Sequence, residues 1–227
     1  MSLNDFERNG EVVYTVSEWE NYARLHASVT TSVQLALYRE SCKHLSGSVV
    51  DCGCGSAKMA PLLAGQASVT AYTGIDYAQE MVSVARQVVQ TLNRSSFTIR
   101  HNRIEDEVGQ FDGAVSIQSY YAWPEPVVTL KHIFDLLVDG ANFVLATPNR
   151  ELCLEKLLQD AEKELVAHPD FGAFKHYNLK LAGNPQANFI SMDGLIRQVQ
   201  QAGFRVRECH QQHFGGGMNF LVLRKET

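Results

Sequence analysis

The sequence is short of the features that staple, anchor or export a chain. It has five cysteines in 227 residues, Cys42, Cys52, Cys54, Cys153 and Cys209, an odd number without a C-x-x-C pair. That argues against a disulfide framework and for a reducing, cytoplasmic compartment. No apolar run approaches the ~20 residues that cross a bilayer, so no membrane partner is expected. The opening MSLNDFERNGE is polar and charged, unlike a secretory leader. Basic charge is not in excess: 20 Lys and Arg stand against 25 Asp and Glu, a net −5. A general nucleic-acid binder needs a basic face, so the charge argues against that class, though a local basic patch stays open. There is no internal repeat, low-complexity tract or linker rich in Pro or Gly.

What is present fits a globular chain: 45% hydrophobic and 20% charged residues. At ~100–200 residues per domain, the length predicts one domain with an added lid. Residues 17–45 read as helical, with Trp19, Tyr22, Leu25, Val29, Val33 and Leu37 at three- and four-residue steps. Short apolar runs then alternate with helical stretches. Strands are expected at Val49-Val50 and at 71–76, 97–102, 111–118 and 142–148, with helices at 57–64 and 78–92. A third helix, from Val127, is expected to end on Gly140 as its C-cap. This β-α-β order predicts a doubly wound α/β fold, with a parallel sheet and helices on both faces. An amphipathic helix at 151–167 follows, then a polar stretch at 168–188 and a helix at 192–202. Two last strands, FRVREC and MNFLVLRK, flank a long loop, HQQHFGGG. The expected total is seven strands, the sixth parallel to the others and the last antiparallel.

Ligands of open parallel sheets bind beyond the carboxyl ends of the strands. Strand one ends in Asp51-Cys52-Gly53-Cys54-Gly55, strand two in Asp76-Tyr77, strand three near Arg103-Ile104-Glu105 and strand four in Gln118-Ser119-Tyr120-Tyr121. Gly53 and Gly55 permit a tight strand-to-helix turn and a close backbone approach by a ligand. An acidic residue at the end of strand two, Asp76, can accept from both hydroxyls of a ribose.

These segments resemble the class I S-adenosylmethionine-dependent methyltransferases of small-molecule type. VVDCGCGSA is similar to that family's first motif and YTGIDYAQEMVSVARQ to its second stretch. FDGAVSIQSYYAWPEP, LLVDGANFVLATPN and QQAGFRV are similar to its later motifs. The likeness covers about 46–149 and about 190–227. It implies a Rossmann-like fold and S-adenosylmethionine as cofactor. Asp51, Gly53, Cys54 and Gly55 would lie along the methionine part, with Asp76 on the ribose. Tyr77, Met81, Arg103, Ile104 and Gln118 would complete the cofactor pocket. Three departures stand out: Ala57 at the third glycine, Arg103 where an Asp often receives the adenine amino group, and Tyr121 at a position often held by His. Ile104 or Glu105 is a candidate to take over the adenine contact.

Around that core, residues 1–45 are expected to form a helical cap, with residues 1 to about 30 mobile. Residues 46–227 would form the catalytic domain, with an acceptor-side insertion at about 150–190. Tyr14, Trp19 and Tyr22 are candidate lid aromatics over a sulfonium. Tyr120, Tyr121 and Trp123 are candidate acceptor-pocket residues. His210 and His213, in the loop after strand six, are candidate general bases, with Tyr121 orienting the acceptor. His176 and Lys175 are weaker acceptor-site candidates. His-x-x-His without a third ligand predicts no metal. The expected reaction is methyl transfer to an N or O atom of a small molecule. The alternatives are an RNA or protein acceptor, a nicotinamide oxidoreductase, disfavoured by Lys58 where that class has glycine, and a catalytically silent cofactor-binding module. The acceptor and the oligomeric state are left open.

Overall fold

In the computed structural model, residues 14–226 are described. Residues 1–13, the first part of the expected cap, lie outside the described residues. The described residues begin with two helices, α1 (Val16–Ser28) and α2 (Ser32–Cys42), where periodicity predicts one. The break has a local cause. Thr31 accepts from Gln34 N and Gln34 Oε1 accepts from Thr31 N, a capping box that starts a second helix. Thr15 and Glu18 form the same motif at the start of α1.

The order continues β1 (Gly47–Cys52), α3 (Ala60–Ala64), β2 (Val69–Asp76), α4 (Gln79–Gln90), β3 (Phe97–His101), β4 (Phe111–Ile117), α5 (Pro126–Leu136) and β5 (Leu137–Pro148). It ends with α6 (Leu154–Leu165), α7 (Phe171–Ala182), α8 (Met192–Gln201), β6 (Phe204–Gln212) and β7 (Met218–Lys225). The seven strands form one sheet in the order β3-β2-β1-β4-β5-β7-β6. β7 is antiparallel to both β5 and β6, so β6 runs with the parallel set.

Strand side chains alternate between two apolar layers, as a period of two requires. Val49, Val144, Phe220 and Val222 pack beneath α2, α3 and α4. Val50, Phe143, Leu145, Leu221 and Leu223 pack beneath α5 and α8. With both faces covered, the carboxyl ends of β1, β2 and β4 are the place where backbone and polar groups stay available to a ligand.

Three expectations need correction. Gly140 does not cap a helix. α5 stops at Leu136, where Lys225 Nζ donates to the carbonyls of Phe134 at 3.0 Å and Leu137 at 2.8 Å. Gly140, at φ +79°, sits inside β5 instead. There Phe111 pairs with Leu137 but Gly113 pairs with Asn142, so the β5 side bulges. Second, the polar stretch contains helix α7. Its apolar residues, Phe171, Phe174, Tyr177 and Leu181, recur at helical spacing and bury against α1 and α6. Third, β6 extends through Gln212, so His210 is a strand residue and the connecting loop is shorter than expected.

Candidate active site

β1 and β2 are locked together at their ends. The N–H groups of Gly53 and Cys54 donate to Ile75 O at 3.0 and 2.9 Å. Asp76 Oδ2 accepts from Gly55 N at 2.9 Å and Oδ1 from Ala78 N at 3.0 Å. The turn places Gly53 at φ +78° and Gly55 at φ +52°, a region that disfavours residues with a Cβ. A Cβ on Gly53 would stand 2.1 Å from Ser119 Oγ, and one on Gly55 2.8 Å from His26 Cε1. Ala57 also has a left-handed φ, +56°, so the alanine keeps the glycine's conformation.

Two carboxylates face this turn. Asp51 is buried and accepts from Tyr72 Oη at 2.7 Å. Burial pushes its carboxyl up to about 7; the Tyr72 hydrogen bond opposes the rise and the Asp76 charge adds to it. Burial also raises Asp76, against the backbone N–H groups that favour its charge. A carboxylate offers about four acceptor positions. Asp76 is drawn on by three backbone N–H groups, those of Gly55, Tyr77 and Ala78, which leaves about one acceptor position for a ligand hydroxyl.

A cavity of about 190 Å³ runs from this turn under α1 and α7. Asp51, Gly53, Cys54, Gly55, Asp76, Tyr77 and Met81 line one end, with Arg103, Ile104 and Glu105 from the segment after β3. Arg103 Nη2 lies 3.3 Å from Glu105 Oε2, and Thr129 Oγ1 donates to the other Glu105 oxygen. The other end is aromatic: Tyr14, Trp19 and Tyr22 from the N-terminal segment, Tyr121 after β4, Tyr177 on α7 and Phe189 beyond it. Tyr14 Oη donates to Tyr177 O at 2.5 Å, and the Tyr22 and Tyr177 rings are 4.9 Å apart. Burial raises the phenols of Tyr14, Tyr22 and Tyr121, so all three stay neutral donors. Gln118, at φ +57°, lines the cavity and accepts from Gln34 Nε2 at 3.1 Å.

Residues 24–209 match a family described as a methyltransferase domain. The chain belongs to this family. It is a class I S-adenosylmethionine-dependent methyltransferase. No curated protein matches it in sequence. It is similar in fold to a putative methyltransferase of Haloferax volcanii, solved in complex with the Trm112 methyltransferase activator. That match has TM-score 0.69 and 15% identity and covers 92% of this chain and 98% of that one. It is similar to a possible histamine N-methyltransferase of Thermotoga maritima, with TM-score 0.60, 18% identity and 97% and 98% covered. The third is mycolic acid cyclopropane synthase CmaA1 complexed with SAH and CTAB, with TM-score 0.64, 14% identity and 85% and 84% covered.

The methyltransferase's cavity fits its cofactor on chemical grounds. Asp76 keeps acceptor capacity for a ribose hydroxyl, the bare backbone of Gly53–Gly55 admits close approach, and aromatic faces, which suit a sulfonium, line the same cavity. Every residue expected on the cofactor lines this one cavity, Tyr22 included.

The expected bases do not line it. His210 stacks on Phe220 at 5.0 Å, and its Nε2 lies 3.2 Å from Glu40 Oε1. His213 is absent from the cavity wall, whereas its neighbour Phe214 is part of it. The reason lies in strand order. β6 runs in the expected direction, but β7 separates it from β5, so its end stands about 10 Å further out at ~4.8 Å per strand. Tyr120 also turns away: it is buried in the α5–α8 layer, with its Oη 2.5 Å from Gln198 Oε1. Neither Lys175 nor His176 lines the cavity.

The sequence reading missed His26, Gln34, Tyr38, Lys58 and Tyr177 as cavity residues. The capping box at Thr31 and Gln34 was legible and would have turned α2 toward the site. Tyr177 was findable from the helical spacing of α7. Among the described residues no cluster could hold a metal ion, and no helix is long and apolar enough to cross a membrane.

Proposed function

We propose that this methyltransferase modifies a nitrogen or oxygen atom of a small molecule held in the aromatic chamber. The observation that carries this reading is the roof. Tyr14 and Tyr177, 163 positions apart, are joined by a 2.5 Å hydrogen bond across the cavity. A polymer acceptor needs an open groove, whereas a chamber roofed by two helices suits a compact ligand. The net charge of −5 further disfavours an RNA acceptor. The five cysteines, none in a disulfide, support a reducing compartment such as the cytoplasm.

When bound, the cofactor supplies a methyl group on a positively charged sulfur. The chain's contribution is alignment and exclusion of water. Asp76 would hold the ribose, Asp51 would face the ammonium of the methionine part, and the Gly53–Gly55 backbone would seat the chain between them. Tyr22 and Trp19 present aromatic faces to the positive charge. Tyr121, kept neutral by burial, donates to or orients the acceptor rather than taking its proton. The apolar walls from Phe174, Phe189 and Phe214 select an acceptor with an apolar body.

The test is a panel of small amines, phenols and carboxylic acids, scored by release of S-adenosylhomocysteine. Turnover of a panel member is the expected result. Turnover confined to RNA or protein would overturn the reading.

A further inference from the structure

Lys58 follows the glycine turn and lines the cavity. Its Nζ donates to the carbonyl of Val29, the C-cap residue of α1. His26, on the last turn of α1, lines the same cavity. Its Nδ1 lies 2.9 Å from Ser56 Oγ, and its Cε1 would stand 2.8 Å from a Cβ on Gly55. One nitrogen base from α1 and one from the loop therefore converge on the Gly55 end of the pocket. We propose that Lys58 and His26 form the anion-binding end of the cofactor pocket and hold the carboxylate of the methionine portion of S-adenosylmethionine. The proposal rests on the cofactor assignment and not on the identity of the acceptor.

A half-buried amine whose partner is a neutral carbonyl has lost hydration without gaining a counter-charge. Among the described residues no carboxylate pairs with Lys58, whose pKa is lowered by burial. Asp51 is engaged by Tyr72 and Asp76 by the backbone N–H groups of Gly55, Tyr77 and Ala78. Glu105 is engaged by Arg103 and Thr129 at the opposite end. The remaining ionisable neighbours, Cys54 on the loop, Tyr22 on α1 and Tyr38 on α2, are held neutral by burial. Burial accordingly lowers Lys58 to about 7 and takes His26 well below its ordinary value, with the Lys58 charge adding to the latter. Perturbed cations in a cleft are the mark of a site completed by its ligand. Of the cofactor's groups, only the carboxylate is a fixed anion. With Asp51 facing the ammonium, the two ends of the amino acid meet opposite charges.

The carboxylate returns both bases toward their charged forms, so binding takes up protons above pH 7. Calorimetry at pH 8, in buffers of different ionisation enthalpy, compares S-adenosylmethionine with its decarboxylated form. The native protein is expected to bind the carboxylate-bearing form at least tenfold more tightly, with proton uptake for that form alone. Lys58→Met is expected to lose the preference and most of the uptake while keeping affinity for the decarboxylated form within twofold. His26→Phe provides a second, independent variant with the same readout. Equal weakening toward both forms in either variant, or no preference in the native protein, overturns the proposal. A native protein that binds neither form overturns the cofactor assignment along with it.

Discussion

Asp76 Oδ2 accepts the N–H of Gly55 at 2.9 Å. One carboxylate thus shapes the glycine turn and, in the proposed reading, also faces the ribose of the cofactor.

Replacing that carboxylate should therefore affect binding more than a single lost contact would. Hydrogen bonds to a charged acceptor contribute ~1.5–3 kcal/mol each. Asp76→Ala is expected to weaken S-adenosylhomocysteine binding by ~100-fold or more, read by calorimetry. Asp76→Asn retains the side chain's size and part of the acceptor capacity, so its loss should be smaller. Native affinity in Asp76→Ala would remove this residue from the site.

Asp51 gives a prediction in pH. Its folded value is raised from 3.8 to about 7, so between those values the folded protein holds a proton that the unfolded chain has released. The unfolded state binds fewer protons there, and stability contributed at this site falls as pH rises across the window. Asp51→Asn removes that penalty. Thermal melts of the cofactor-free protein should show the variant gaining on the native chain from pH 4 to pH 7. The same variant should bind cofactor less well. A difference in melting temperature that is flat with pH would contradict the assignment.

The roof should respond to cofactor as one unit, because Tyr14 bonds to Tyr177 and the Tyr22 ring packs against Tyr177. Amide exchange in α1 and α7 is expected to slow together on adding S-adenosylhomocysteine, by ~10-fold if ligand binding suppresses local opening. Tyr14→Phe should uncouple the two helices. Exchange unaltered by ligand in either helix would mean the roof does not gate the cavity.

Neither His210 nor His213 reaches the cavity wall. With an acceptor in hand, His210→Ala and His213→Ala are expected to keep kcat within about twofold, whereas loss of a general base typically costs ~10²-fold or more. Tyr121→Phe, which deletes a donor inside the chamber, should lower kcat/KM. A hundredfold loss in either histidine variant would restore the base role to the end of β6 or the residue after it.

Much of the cofactor end was legible from the chain because its determinants are local. The positive φ at Gly53 and Gly55 needs glycine, and Asp76 follows its own apolar strand by a single step. The seven strands were countable from short apolar runs, and the late hairpin from the turn between its strands. Other features depended on which strangers in sequence met in space. Gly140 read as a helix cap because nothing local shows that Lys225 would cap α5 instead. His213 looked placed for catalysis because direction is readable from topology, while lateral position is not: β7 inserts between β5 and β6 and carries the histidines away. Lys58 entered the sequence reading only as a departure from a glycine; its place in the pocket follows from α1 folding over it and removing its hydration water. Local chemistry fixed the turn and its carboxylates. Only the packing of α1, α6 and α7 onto the sheet decided what encloses the cavity, since a side chain's dielectric surroundings come from neighbours remote in the chain.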